Sequence, residues 1–213
     1  MIETLRPQLA ELVPVVRRAV ELEPAGLVRF RVTDRTVTAY VRLPFRVLVS
    51  RTIGTGTDLA PLDTSVSAAE LLAWLDDDTS APPAARDADW RESLPPVSGW
   101  QRLDRVPDDV VRGLVRSGAT ALKDAAAREG VPGAQPRAEV ADALLDAVVL
   151  TVTNDAGRTA RVALRTVSSL VRMGFVPRGS EVSVDVSGRW TRISGDYGSA
   201  YAQEPGGLAL AST

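Results

Sequence analysis

The stretch VALRTVSSLVRMGFVPRGSEVSVDVSGRWTRI, residues 162–193, decides which fold this chain can have. A short amphipathic helix carries Leu164, Val167, Leu170 and Val171 on one stripe. It ends at Gly174, where a left-handed residue commonly closes a helix. A strand–turn–strand follows, with Ser187 and Gly188 at its turn. Helix and hairpin would suit the recognition helix and wing of a DNA-binding domain, if a second helix came just before through a tight turn. The preceding residues, LDAVVLTVTNDAG (145–157), do not supply one. Val148, Val149, Thr151, Val152 and Thr153 are β-branched and favour a strand. The NDAG that follows is a turn signal, and RTARVAL (158–164) turns Ala160, Val162 and Leu164 inward. The order is hairpin, helix, hairpin, and no helix-turn-helix results.

Upstream, the pattern is that of an α+β protein. Ile2, Leu5, Leu9, Leu12, Val13, Val16 and Val20 share one helical face, which Pro14 must interrupt because it lacks a backbone donor. Pro24 and Gly26 end this helix. Val28, Phe30 and Val32 alternate with Arg29 and Arg31, and Val37, Ala39 and Val41 with Thr38, Tyr40 and Arg42. That predicts an antiparallel hairpin, with residues 45–53 as a third, bent strand after Pro44. Ser67 and Glu70 have capping-box spacing before the apolar Leu71, Leu72, Trp74 and Leu75. Residues 76–99, rich in Pro, Asp and Ala, read as a linker or a loop draped on the surface and pinned by Trp90 and Trp100. A second helix starts at Pro107, Asp108 and Asp109, with Val111, Leu114, Val115, Leu122 and Ala126 as its stripe and Gly130 at its end. A third covers residues 137–147.

The predicted architecture is therefore α+β: an N-terminal helix, an arginine-rich antiparallel sheet, two central helices around an acidic proline-rich loop, and a C-terminal hairpin–helix–hairpin. Residues 1–203 read as one domain, or as two lobes, 1–78 and 97–203, joined by 79–96. Residues 204–213 read as a flexible tail.

Composition narrows the chemistry. The 213 residues include no cysteine and no histidine. Disulfides, thiolate zinc sites and Ser-His-Asp or Cys-His catalysis are excluded. An enzyme built from this chain would have to use carboxylates, Lys, Tyr, Ser, Thr or Arg. Lys123 is the only lysine, which suggests a GC-rich bacterial genome. No apolar run approaches the roughly 20 residues of a membrane helix, and the N-terminus does not read as a signal peptide. The expectation is a soluble cytoplasmic protein with no membrane contact.

Each acidic or glycine-rich cluster has an ordinary use. Asp76, Asp77 and Asp78 lack the alternating spacing of a cation loop. Glu139, Asp142 and Asp146 share one helix face, as solvated carboxylates commonly do. GTGTD (54–58) has no phosphate-loop lysine and no helix directly after it. GDYGSAYA (195–202) predicts a tight turn into a final strand with Tyr201 on the core. No metal site, cofactor or catalytic residue is assigned, and the chain is expected not to be an enzyme.

Charge is unevenly placed. Residues 27–53 hold six arginines against one acid, and residues 58–109 hold twelve acids against four arginines. Opposite blocks in consecutive segments attract within a monomer or across a dimer. Arg29, Arg31, Tyr40, Arg42 and Arg46 are the interaction candidates, and the same basic face with Tyr40 and Phe45 could instead bind single-stranded nucleic acid by stacking and phosphate contacts. Arg29, Arg31 and Arg42 should share one sheet face, and carboxylates from residues 76–92 should reach at least one of them. The function expected is a non-catalytic protein–protein interaction module, acting as a homo-oligomer or with a protein partner. The alternative is a winged-helix-like nucleic-acid-binding regulator that uses residues 161–192, with Arg161, Arg165, Arg172, Arg178, Arg189 and Arg192 as contacts. An isoelectric point near 5.3 disfavours it.

Overall fold

The computed structural model describes residues 2–44, 46–77, 81–128 and 134–204. Phe45, Asp78, Gly130 and the tail from residue 205 on lie outside the described residues.

The N-terminal segment is helical in pieces. One short 3-10 turn (Ala10–Leu12) separates α1 (Arg6–Leu9) from α2 (Val13–Leu22), with Pro7 and Pro14 each in a first turn. The interruption expected at Pro14 is present, and proline sits where its missing donor costs nothing. Strands β1 (Leu27–Thr33), β2 (Thr36–Leu43) and β3 (Val47–Gly54) follow as a meander. A fourth strand, β4 (Leu62–Ser67), pairs with β1 and runs straight into α3 (Ala68–Asp76). Ser67 caps α3 by accepting from the Glu70 amide at 3.3 Å.

After the loop come β5 (Gln101–Pro107), α4 (Asp108–Arg128) and α5 (Ala134–Asp146). A two-stranded sheet of β6 (Val148–Thr153) and β7 (Thr159–Ala163) leads into α6 (Leu164–Arg172). The chain ends in β8 (Glu181–Ser187), β9 (Trp190–Gly195) and β10 (Gly198–Gln203). The strand at Val148–Thr153 is as predicted, and Leu164 opens the helix instead of closing the strand. The second hairpin is larger than expected. The predicted final strand is β10, which turns the hairpin into a meander and joins it to the arginine-rich strands.

One antiparallel sheet of eight strands results, in the order β4-β1-β2-β3-β10-β9-β8-β5. Its centre is the β3–β10 pair, with Val49 opposite Ala200. The register has an approximate two-fold about this point. Half a turn exchanges Ser50 with Tyr201, hence Tyr40, opposite Ser50, with Arg192, opposite Tyr201. It likewise exchanges Arg29 with Asp185, their neighbours on β1 and β8. Edge strands β4 and β5 correspond, and each runs directly into a helix.

The core lies between one sheet face and the helices. Val28, Phe30, Val41 and Val49 from one half meet Val182, Val184, Ile193 and Ala200 from the other, under Leu9, Leu12, Val16, Leu71, Val167 and Leu170. Each large side chain fully buried here is worth about 1.5–3 kcal/mol over exposure. Gly174 has φ +73 and closes α6, and Phe175 is buried behind it. Gly195 brings the β9 backbone so close to the Phe175 carbonyl that no side chain would fit. The close approach allowed by GDYGSAYA is thus internal.

Candidate interaction surface

The opposite sheet face has its own smaller cluster. Tyr40, Leu48 and Tyr201 are buried, with Trp90, Leu94, Trp100 and Trp190 packed against them. Tyr201 is its hub. Its ring lies 6.5 Å from Tyr40, 5.9 Å from Trp100 and 6.4 Å from Trp190, the last edge-on, a favoured arrangement for aromatic pairs. Tyr201 Oη and Ser50 Oγ share a buried hydrogen bond of 2.9 Å. Burial, with Tyr201 nearby, pushes the Tyr40 phenol up to about 12.

What covers this face is the loop after α3, as its two tryptophans predicted. Its first part is hydrogen-bonded to the β4 edge. Ala85 bridges Val66, the Arg86 amide donates to the Ser65 carbonyl at 2.6 Å, and Asp87 accepts from Ser65 and Thr64. This closes the edge of β4, a strand whose unpaired groups would otherwise face water. Beyond residue 90 the loop crosses the face as a strap, held by side chains. Trp90 lies over the Arg29 guanidinium at 5.8 Å, and Trp100 over that of Arg192 at 4.3 Å.

The charges around the cluster are matched within the chain. Arg29 Nε donates to Asp63 Oδ1 at 2.6 Å, and Arg31 lies 3.6 Å from the same carboxylate. The Arg29 bond holds the Asp63 carboxyl below its ordinary value and raises Arg29 in turn. Arg42 pairs with Glu92 of the strap. The registers put Arg29, Arg31, Tyr40 and Arg42 on one face. One carboxylate from residues 76–92 therefore does reach these arginines, in the same chain, and Asp63 supplies the other contact. Arg46 stands apart at the β2–β3 turn, with φ +58, and bonds Asp142 on α5 at 3.0 Å.

In the other half the centre is inverted. Asp185 is buried, and Arg102 and Arg192 each reach it at 3.2 Å, with Ser183 Oγ donating at 3.3 Å. Arg165, also buried, binds Asp142 at 3.5 Å and Asp146 at 2.7 Å. The acidic face of α5 is thus a seat for Arg165 and Arg46. Asp76 pairs with Arg17 at 3.1 Å, and Asp58 of GTGTD with Arg35 at 2.8 Å.

The alternative of a helix and wing over residues 161–192 does not have the geometry it needs. A strand, β7, precedes α6, and Leu164, Arg165, Thr166, Val167, Ser169 and Leu170 of α6 are buried. A recognition helix must present such a face to a groove. Arg165 and Arg192 are engaged as described, and Arg161, Arg172, Arg178 and Arg189 lie at four separate places along the chain, not on one helix and wing.

The sequence did not disclose Leu48, Trp190, Asp63 or Asp185 as partners at this surface. Leu48 and Trp190 stood in strands whose second face looked solvent-exposed, and a lone aspartate in a strand carries no pairing signal. Among the described residues, no group of three or more Asp or Glu is placed to hold a metal ion, and no helix is long and apolar enough to cross a membrane.

Comparison with solved structures gives the fold a likeness. The DNA polymerase III subunit beta of Pseudomonas aeruginosa is 11% identical, with a TM-score of 0.59 over 96% of this chain and 65% of that one. The Helicobacter pylori beta clamp, solved with 5-chloroisatin, is 8% identical, with a TM-score of 0.57 over 96% of this chain and 63% of that one. The DNA polymerase III beta subunit of Thermotoga maritima is 11% identical, with a TM-score of 0.54 over 93% of this chain and 62% of that one. This chain spans less than two thirds of the length of each. The fold thus resembles that of sliding clamps. No curated protein matches the chain. Residues 6–92 match the family model described as Domain of unknown function (DUF8010), so a junction between models falls within the strap. Residues 95–207, more than half of the chain, match the model described as Domain of unknown function (DUF8185), and the protein belongs to that family.

Proposed function

We propose that this chain is a non-catalytic module that works by protein–protein contact and self-association, in the cytoplasm of a bacterium. The observation that supports this most is the sliding-clamp likeness over 96% of the chain. Several of the proteins that share the fold are named as sliding or beta clamps, a name that fits a module that holds a partner. On this reading residues 1–203 act as one unit, since β3–β10 pairing joins the segments on either side of the strap. The surface proposed for contact is the outer face of β1 and β2, around Arg29, Arg31, Tyr40 and Arg42, with Arg46 at its margin.

A nucleic-acid partner is disfavoured by charge. Exposed Arg17, Arg18, Arg116 and Lys123 on the helices are interleaved with exposed Glu11, Glu21, Glu70 and Asp124. A surface made to follow phosphates needs an excess of cations. Light scattering over a wide concentration range tests the proposal. The expected mass is a multiple of 22.7 kDa. A single-chain mass at every concentration would overturn self-association.

A further inference from the structure

The strap holds the outer face in an unusual way. From residue 91 to residue 100, no backbone hydrogen bond ties it to the sheet among the described residues. Its two indole N–H groups are satisfied by its own carbonyls. Trp90 Nε1 donates to Glu92 O at 2.7 Å, and Trp100 Nε1 to Pro96 O at 2.9 Å. Lifting residues 91–100 would part Glu92 from Arg42 but, among the described residues, would break no backbone hydrogen bond of the sheet, and unmet backbone groups are a main cost of removing a bound segment. Anchoring is by side chains: Trp90, Leu94 and Trp100 on the aromatic cluster, and Glu92 on Arg42.

The strap also shows what chemistry the face accepts. Its central sequence is ESLPPV (92–97), with Pro95 buried and Val97 71% exposed. An extended proline-containing segment on aromatic side chains is a recurring recognition mode, because the segment loses little conformational freedom on docking. Its one acid, Glu92, pairs with Arg42, so charge selects too. Nor does the strap fill the face. A cleft of about 360 Å³ remains between Trp90 and Glu92 on one side and Leu27, Arg42, Leu43 and Pro44 on the other.

We infer that the outer face around Tyr40, Leu48, Trp190 and Tyr201 is a docking groove for an extended, proline-containing segment of a partner protein that places one carboxylate on Arg42, and that residues 90–97 occupy it in cis. This rests on the interaction-module reading. Its test is separate from that of solution mass, so either can fail alone. A partner meets a groove that is competent only in the fraction of molecules whose strap is lifted, and its apparent affinity falls by that fraction.

The probe is a fluorescent peptide of residues 88–99. The full chain carrying Trp90→Ser and Leu94→Ser, checked for a cooperative melt, should bind it at least about tenfold more tightly than the unaltered chain. Adding Arg42→Glu to that chain should weaken binding again, as should Pro95→Ala with Pro96→Ala in the peptide. Equal affinity for a folded vacated chain and the unaltered one, or for a scrambled peptide, would overturn the proposal. So would a vacated chain that binds single-stranded DNA and not the peptide. Should the double variant not fold, the unaltered chain decides. Excess peptide should speed tryptic cleavage after Arg91 as the strap is displaced, and an unchanged rate would overturn the proposal.

Discussion

The two halves of the sheet place opposite charges at the same point. Arg29 and Asp185 exchange under the two-fold, and each belongs to an ion cluster on the outer face. In the N-terminal half, two arginines share Asp63, whose side chain is 40% exposed. In the C-terminal half, one carboxylate with 3% exposure is shared by two arginines. A backbone framework repeated within one chain thus does not impose its polar chemistry. The inversion has a consequence for the strap. In the C-terminal half Asp185 answers Arg102 and Arg192. In the N-terminal half Arg42 has no strand partner, and the strap supplies Glu92.

The largest expected effect is at this pair of centres. Removing one member of a buried ion cluster strands the others, at about 3–5 kcal/mol. Arg102 keeps half of its side chain in water and can turn outward, so Asp185→Ala should cost near the low end, about 3 kcal/mol. The equivalent cut, Asp63→Ala, should cost about 1 kcal/mol or less, since exposed pairs contribute little. Urea denaturation of both variants checks this. Equal losses would mean that the two centres are alike in energy, and the contrast in burial would have no meaning.

The comparison also explains which parts of the molecule the sequence disclosed. Strands β1, β2, β8 and β9 alternate cleanly because they lie centrally in each half, with one face under helices. The edge strands β4 and β5 were missed in both halves. In β4 the run Asp63-Thr64-Ser65 is polar because an edge tolerates it, and its second row of hydrogen bonds is made with residues 85–87 of the loop. In β5 a register shift between Arg102 and Asp104 breaks the period of two, so its buried residues, Leu103 and Val106, fall three apart. The strap's tryptophans were legible as pins. What they pin to was not, because Leu48, Trp190 and Tyr201 meet only when β3 and β10 pair across about 150 residues of chain, and no local period records that.

A smaller difference lies at the helix ends. Helix α6 closes on Gly174 with φ +73, whereas its counterpart α2 closes on Glu23 with φ −148, which any residue can adopt. A Cβ on residue 174 would also lie 3.0 Å from Arg18 Nη1, itself a flexible end. Gly174→Val should therefore destabilise by about 1–2 kcal/mol, chiefly through the backbone. Glu23→Ala should stay within about 0.5 kcal/mol of the parent. Thermal melts of the two variants separate these outcomes. A Gly174→Val chain that melts like the parent would mean that α6 runs on through this position, as α2 does not.

The smallest effect concerns pH and isolates the N-terminal centre. Asp63 titrates below its ordinary value, mainly because Arg29 donates to its charged form. A carboxyl with a lowered folded value contributes stability that is present above the unfolded value, about 3.9, and is lost as pH falls through the folded one. Asp63→Asn cannot ionise and lacks that contribution. Its melting temperature should lie below the parent's by a constant, small margin from neutral pH down to about pH 5, and the margin should close below about pH 4. With 40% of the Asp63 side chain in water, screening keeps the margin within what an exposed pair gives, about 1 kcal/mol at most, and added salt should narrow it at neutral pH. A margin that persists unchanged into acid would show that the amide side chain weakens the strand itself. In that case the pairing of Arg29 with Asp63 would be geometry without energetic weight, and the inversion between the two halves would have only one working centre, at Asp185.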